Sequence, residues 1–311
     1  MSLRVSHLVK RYGEFTAVDD LDFELSAPGV FALLGSNGAG KTTSMRVILG
    51  MLAKESGSVE WDGKPLKPAS GSVGYLAEER GLYPKYKIGE QLAYFARLKG
   101  MPKSAADEAI GKWLSRLGVE EYRYKIPDQL SKGNQQKIQL ACALIADPEL
   151  LILDEPLSGL DPVNSDLFRA VIREQIDAGK YIIMSSHQMP VVEEFCEHII
   201  IMHRGKTVLQ GDLNNIKRGY GRVNLSVKAD ENIIALAEEF GLAVVKQTPN
   251  GVDFRVPSEY NARQFLRKAV DTNVNIVKFE LREPTLHEIF VEKVTGVGGD
   301  SAEKIEKEAA L

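Results

Sequence analysis

The sequence predicts an α/β protein followed by a smaller α+β domain. From residue 3 to about 210, short β-branched runs alternate with longer amphipathic segments, which is typical of a sheet with packed helices. Several of the short runs are apolar on both faces, which favours central strands of a parallel sheet. Beyond residue 220 the predicted elements follow the order βαββαβ, which indicates a second, smaller domain.

The first domain is predicted to span residues 1–215 and to carry a helical insertion over about 80–148, where the strand pattern stops and helical periodicity replaces it. Its apolar runs predict strands at residues 30–34, 73–76, 150–153, 181–184 and 199–202.

The second domain is predicted to span residues 220–296, after a linker in which Gly219 and Gly221 flank Tyr220. Its order of strands and helices is that of a ferredoxin-like domain. Residues 297–311 are rich in glycine and charge, and we expect a mobile tail there.

Composition excludes several classes of protein. The 311 residues are 44% hydrophobic and 26% charged, as in ordinary globular proteins, and the net charge of −4 argues against a nucleic-acid partner.

Cys142 and Cys196 lie in apolar helical patterns without metal-ligand spacing, so we expect buried thiols in a reducing compartment. No stretch reaches the roughly 18 apolar residues that span a bilayer. We therefore expect a soluble, cytoplasmic chain.

A phosphate-binding loop follows the first buried strand and precedes an amphipathic run. Residues 35–42 fit the pattern G-x-x-x-x-G-K-[ST], in the strand-to-helix context that the motif requires. Its glycines let main-chain N–H groups face phosphates, Lys41 reaches the β and γ oxygens, and the Thr42 hydroxyl can ligate Mg²⁺. The residues predicted to contact ATP here are Gly35, Ser36, Asn37, Gly38, Ala39, Gly40, Lys41, Thr42 and Thr43.

Two carboxylates end the apolar strand at 150–153. Asp154 is predicted to hold Mg²⁺ together with Thr42, and Glu155 to polarise the attacking water as a general base. An isolated strand that ends in solvated acids is common, but beside a phosphate loop the pair indicates nucleotide hydrolysis.

Further residues narrow the class of hydrolase. Residues 130–134 read Leu-Ser-Lys-Gly-Asn and open a predicted helix, while Ser-Gly-Leu-Asp follows at 158–161. Taken in order with His187 and with Tyr12 near the start, these motifs resemble the signature, D-loop, switch histidine and adenine-stacking aromatic of the ABC ATPase family. The resemblance covers roughly residues 2–215.

The resemblance implies a head-to-tail dimer of two cassettes, either identical or different, in which each ATP lies between the phosphate loop of one and the signature of the other. It implies that Ser131, Gly133 and Asn134 contact the ATP of the facing cassette, and that Asp161 links the two sites. His187 would act in catalysis with Glu155.

Two departures from the family pattern affect the expected rate. The signature has Lys132 and Asn134 where glycine and glutamine are usual, and Glu78 aligns with the glutamine that normally faces Mg²⁺. A carboxylate at 78 can still ligate Mg²⁺, but it adds negative charge near a triphosphate. We therefore expect hydrolysis that is slower or more tightly gated.

The family also implies a partner. Tyr83 and Tyr86 lie where the family contacts a membrane permease, although local packing explains them equally well. Together with the C-terminal segment 284–290, the cassette resembles ATP-binding proteins of ABC-2 exporters, and this implies a position at the inner face of the cell membrane through the permease.

Other classes of nucleotide hydrolase fit less well. A chromosome-maintenance ATPase would carry a long coiled coil, and residues 42–130 leave no room for one. Translation factors of this superfamily usually carry two cassettes, whereas one is present here. The Asn-Lys-x-Asp motif by which GTPases recognise their base is missing. A regulatory single-cassette ATPase stays open as an alternative.

Overall fold

The computed structural model describes residues 1–68, 71–79 and 81–295. The chain divides into two compact units, Met1–Gln210 and a second unit that begins at Gly211. The tail predicted at 297–311 lies outside the described residues.

The first unit contains a central sheet, an antiparallel sheet and a helical segment. Its strands are β1 (Leu3–Tyr12), β2 (Phe15–Leu25), β3 (Gly29–Leu34), β4 (Ser56–Trp61), β5 (Lys64–Pro65), β6 (Val73–Leu76), β7 (Leu150–Asp154), β8 (Tyr181–Ser186), β9 (His198–His203) and β10 (Lys206–Asp212), the last of which runs into the second unit. Its helices are α1 (Lys41–Ile48), α2 (Ile88–Leu98), α3 (Lys103–Arg116), α4 (Lys132–Leu144), α5 (Pro162–Asp177) and α6 (Met189–Phe195).

The central sheet has the strand order β10-β9-β3-β8-β7-β6, and β9, β3, β8, β7 and β6 pair in parallel. Every residue of β7 and β8 is buried, as their apolar runs require. Because parallel strands share one carboxyl edge, the residues that follow β3, β7 and β8 meet at that edge.

A second sheet, of order β2-β1-β4-β5, pairs antiparallel throughout. None of its strands is among those predicted from the sequence. The Phe23 ring stacks on Phe31 with centroids 4.6 Å apart, and this contact joins β2 to the core beneath the central sheet.

The segment between β6 and β7 is helical, as predicted. Helices α2, α3 and α4 pack on one another through buried apolar side chains. These are Ile88, Leu92, Ala106, Ile110, Leu114, Ile138 and Leu140.

The second unit is a four-stranded antiparallel sheet with helices. Its elements are α7 (Leu213–Tyr220), β11 (Asn224–Ala229), α8 (Ile234–Glu239), β12 (Ala243–Thr248), β13 (Gly251–Arg255), α9 (Glu259–Asp271), β14 (Ile276–Arg282) and α10 (Leu286–Thr295). From β11 to β14 the order is βαββαβ, and the sheet order β12-β13-β11-β14 is that of a ferredoxin-like domain.

The linker predicted before this domain is instead helical, and the chain divides at Gly211 rather than near residue 215. The Asp212 side chain caps α7 by accepting the N–H of Asn215 at 2.7 Å, and Gly221, at φ 71°, ends the helix. Glycines at 219 and 221 thus mark the end of a helix rather than a flexible connection.

Within the described residues, no helix is long and apolar enough to cross a membrane.

One carboxylate organises the second unit. Glu288 accepts hydrogen bonds from Arg282 (2.9 Å from each of two guanidinium nitrogens), Asn224 Nδ2 (2.8 Å) and the N–H of Thr285 (2.7 Å). Burial alone would raise the pKa of Glu288, but the Arg282 and Thr285 bonds outweigh it and hold that pKa below its ordinary value of 4.5. The stabilisation is therefore present above about pH 4.5 and is lost as the pH falls through the lowered pKa.

We expect Glu288→Gln to lower the free energy of unfolding of the second unit by about 1 kcal/mol at pH 7 and to have a smaller effect at low pH, because the carboxylate loses its charge as the pH falls through its lowered pKa. Hydrogen exchange of the β11 amides measures this difference. Glu239→Gln, at the exposed end of α8, is the control. A loss that is equal at both pH values would contradict the assignment.

Candidate functional site

The phosphate loop lies between β3 and α1 at the carboxyl edge of the central sheet. Gly40 has a φ of +105°, and a Cβ there would lie 2.4 Å from the carbonyl oxygen of Ala17; one on Gly35 would lie 2.6 Å from that of Met202. Both positions therefore require glycine. The other predicted phosphate contacts, namely Ser36, Asn37, Gly38, Ala39, Thr42 and Thr43, follow in the same loop and the first turn of α1.

Lys41 is buried at the centre of the loop. Its Nζ donates to the carbonyl oxygens of Gly35 (2.7 Å) and Ser36 (3.2 Å) and lies 3.9 Å from Glu155 Oε1. Burial lowers the pKa of Lys41, while the carboxylates of Glu155 and Asp154 oppose that shift. The loop thus holds its cation beside the two acids that end β7.

Asp154 has one satisfied and one free carboxylate oxygen. Oδ1 accepts the hydroxyls of Ser185 (2.5 Å) and Thr42 (3.2 Å), whereas Oδ2 is buried without a hydrogen-bond partner among the described residues. A buried acceptor left without a donor is costly unless a cation or water faces it. The arrangement therefore suits a cation beside Thr42.

Glu155 is buried and held in one orientation. Its φ of +49° is unusual for a residue other than glycine, its N–H donates to Ser185 Oγ (2.9 Å), and its Oε2 lies 2.9 Å from Nδ1 of the half-exposed His187. The carboxylate thus lies between Lys41 on one side and His187 on the other.

Glu78 follows β6 and faces the same cluster of charges. Burial raises the pKa of Glu78, the negative charges of Asp154 and Glu155 raise it further, and Lys41 and His187 oppose them. The departure from glutamine at this position thus adds a third carboxylate to the site.

Among the described residues, no group of three or more His, Cys, Asp or Glu side chains could hold a metal ion by itself. Mg²⁺ is usually bound through one or two carboxylates together with substrate phosphates, so the absence of a closed protein cage is compatible with a Mg²⁺–nucleotide site.

Tyr12 lies at the end of β1, in the hairpin with β2. Its ring is 49% exposed, with Lys10 Nζ 5.0 Å from the ring centroid. The same hairpin reaches the phosphate loop through the contact of Ala17 with Gly40. Tyr12 therefore presents an open aromatic face on the hairpin that touches the loop.

The signature residues form a separate group with Asp161. Ser131 caps α4 by accepting the N–H of Asn134 (3.3 Å), and a Cβ on Gly133 would lie 2.9 Å from Asn164 Nδ2. Asp161 in turn caps α5, accepting Asn164 N (3.0 Å) and Nδ2 (2.5 Å). Two helix N-termini, one from the signature and one from the D-loop, thus lie side by side.

Two sequence families match this chain. One, described as "ABC transporter", matches residues 18–158, and the other, described as "ATP-binding protein DrrA1-3-like, C-terminal domain", matches residues 211–294. A protein named "Uncharacterized ABC transporter ATP-binding protein YhaQ", from Bacillus subtilis, is 46% identical over 95% of this chain and 99% of its own length. The chain belongs to the ATP-binding proteins of ABC transporters. This confirms the resemblance drawn from the motifs.

Two further comparisons agree with the family. "Nod factor export ATP-binding protein I" from Cupriavidus metallidurans is 34% identical over 67% of this chain and 70% of its own length. A solved structure titled "Structure of ATP binding subunit of ABC transporter" superposes with a TM-score of 0.66 at 29% identity, over 71% of this chain and 94% of that one. The predicted cassette fold is confirmed, and the chain is an ATPase of a transport system.

One functional residue of this ABC ATP-binding protein, Ser185, is not among those predicted from the sequence. This buried hydroxyl links both acids, since it donates to Asp154 and accepts the N–H of Glu155. Asp154 and Ser185 are direct neighbours in the β7–β8 pairing. The position of Ser185 at the carboxyl end of a buried strand is the signal that could have identified it.

We expect Ser185→Ala to lower the free energy of unfolding by about 1 to 3 kcal/mol, because Glu155 N–H loses its acceptor, and to slow ATP turnover about 10-fold as both acids lose their shared partner. Chemical denaturation and steady-state hydrolysis measure the two effects. Ser186→Ala, which removes only the acceptor for the N–H of Gln188, is the matched control and should keep its turnover. Equal turnover in both variants would show that Ser185 does not position the acids.

Proposed function

We propose that this protein binds and hydrolyses Mg²⁺–ATP to power a separate membrane permease that exports its substrate. The observation that carries the proposal is the meeting of buried Lys41, the free Oδ2 of Asp154 and the Glu155–His187 pair at one edge of the parallel sheet. Phosphate loop, metal-binding acid and base are the parts that phosphoryl transfer to water needs.

Binding uses the loop and its surroundings. Main-chain N–H groups of residues 35–42 and the Lys41 ammonium hold the phosphates, and Tyr12 stacks on the adenine. Thr42, Asp154 and Glu78 supply oxygens to Mg²⁺, whose charge offsets that of the transferring phosphoryl group. Burial raises the pKa of Glu78, and the negative charges of Asp154 and Glu155 raise it further, so a cation beside Glu78 would offset that repulsion.

Hydrolysis uses Glu155 as the general base. Its carboxylate accepts a proton from the attacking water, and His187, 2.9 Å away, holds it in place. The Ser185 hydroxyl accepts the N–H of Glu155 and so fixes its main chain. The base is therefore oriented before water arrives.

A second copy, identical or related, completes each site. Ser131, Gly133 and Asn134 of the partner subunit approach the γ-phosphate at the start of α4, where the helix dipole favours an anion. Asp161, packed beside Gly133 through Asn164, links the two ATP sites. Hydrolysis then separates the two copies and resets the permease.

The proposed permease contact lies on the helical segment. Tyr83, Tyr86 and Tyr94 are exposed and meet edge to face, with ring centroids 6.2 and 6.4 Å apart around Tyr83. Gln91 fixes the loop beneath them by donating to the carbonyls of Tyr83 (2.9 Å) and Tyr86 (2.8 Å). An ordered, exposed aromatic cluster suits a protein contact, and it would place the chain at the inner face of the membrane.

Export is supported by two findings: a matching relative is named for Nod factor export, and the second unit matches the DrrA-like C-terminal family.

We expect Glu155→Gln to bind ATP, to lose at least about 100-fold in turnover, and to accumulate as a dimer, because the base is removed while the shape of the site is kept. Light scattering after size-exclusion chromatography with Mg²⁺–ATP shows the dimer. Glu197→Gln, on the exposed surface, is the control and stays like the wild type. If Glu155→Gln turns over ATP normally, Glu155 is not the base, and His187 is the next candidate.

A further inference from the structure

Three glutamines of α4 hold the segments that surround the nucleotide site. Gln135 Nε2 donates to the carbonyls of Pro127 (2.9 Å), which precedes the signature, and of Leu130 (3.2 Å), which is its first residue. Gln136 Nε2 donates to the carbonyl of Pro156 (3.1 Å), and Gln139 Nε2 donates to that of Glu79 (3.0 Å). Each amide thus ties a loop main chain to one helix.

Two of these acceptors adjoin the acids of the site. Pro156 follows Glu155, and Glu79 follows Glu78. Gln136 and Gln139 are three residues apart and therefore lie on one face of the helix. The loops that carry the two acids are consequently attached to one rigid surface, on the helix that begins at the signature.

Amide side chains suit this task. Gln139 is 91% buried, and its N–H donor satisfies a carbonyl without adding a charge near three carboxylates. An apolar side chain of the same length would leave the Glu79 carbonyl unpaired, whereas lysine would add a cation that competes with Lys41. Fixing the loop without altering the local charge requires a neutral donor.

We propose that Gln136 and Gln139 are positioning residues that fix the loops of Glu155 and Glu78 to α4, so that any displacement of the signature helix moves both acids together. The inference rests on the proposed function, because the roles of Glu78 toward Mg²⁺ and of Glu155 toward water come from it. Beyond those roles, the inference is that two glutamine side chains connect the signature helix to the loops of both acids within one chain.

The full-length Gln139→Met variant tests the first link without nucleotide. The substitution keeps the length of the side chain and removes the donor. We expect the amides of residues 77–79 to exchange hydrogen about 3- to 10-fold faster than in the wild type, the range expected for one lost hydrogen bond. Gln136→Met is expected to leave this loop unchanged.

Steady-state hydrolysis then separates the two roles. Gln139→Met is expected to raise the Mg²⁺ concentration for half-maximal turnover about 3- to 10-fold with little change in kcat, since it loosens Glu78. Gln136→Met is expected to lower kcat by a similar factor at an unchanged Mg²⁺ requirement, since it loosens Glu155.

Gln175→Met is the matched control, because it removes a buried amide near the far end of α5. If Gln136→Met and Gln139→Met match this control in exchange and kinetics, the link is refuted while wild-type hydrolysis still supports the proposed function. A uniform loss of stability and activity in both variants also refutes it, since it indicates packing alone. A wild-type protein that does not hydrolyse ATP would contradict the proposed function, and the exchange result would still decide whether Gln139 holds the loop.

Discussion

The site depends on the buried carboxylate of Asp154. This acid is held by a hydroxyl from the neighbouring strand and by one from the helix after the phosphate loop, and it keeps one oxygen free. A buried acceptor left without a donor is costly unless a cation or water faces it, so this arrangement supports the Mg²⁺ that we propose for this edge of the sheet. Glu155, which follows it, is held in a left-handed conformation by the same serine.

The helical segment between β6 and β7 is connected to this group of acids through helix α4. Ser131 caps the helix α4 of this segment, and we propose that the ATP of the facing subunit binds there. Gln136 and Gln139 of the same helix hold the loops of Glu155 and Glu78. The exposed tyrosines beside α2 lie on the same segment. One group of helices thus carries the proposed permease contact, the signature and the hydrogen bonds to the loops of two acids. A movement of that segment would therefore displace all three.

The sequence predicts the parts of the molecule whose pattern is local. The strands β3, β7, β8 and β9 are predicted because their runs are apolar on both faces, and the phosphate loop and the acids at the end of β7 are predicted from their motifs. The antiparallel sheet was missed because register shifts interrupt β1 between Val5 and Lys10 and spoil the alternation that identifies a strand. Ser185 and Gln139 were not predicted because the role of a serine in a strand, or of a glutamine in a helix, depends on which residues lie next to it in space.

The most direct test of a transport role is to tag the protein in its native cell, solubilise membranes in mild detergent, and identify the proteins that co-purify with it. We predict recovery of a polytopic membrane protein, and its loss when Tyr83 and Tyr86 are both replaced by alanine but not when the exposed Tyr124 is. Recovery of soluble partners alone, with none of the protein at the membrane, would contradict the transport role and leave an ATPase that regulates some other process.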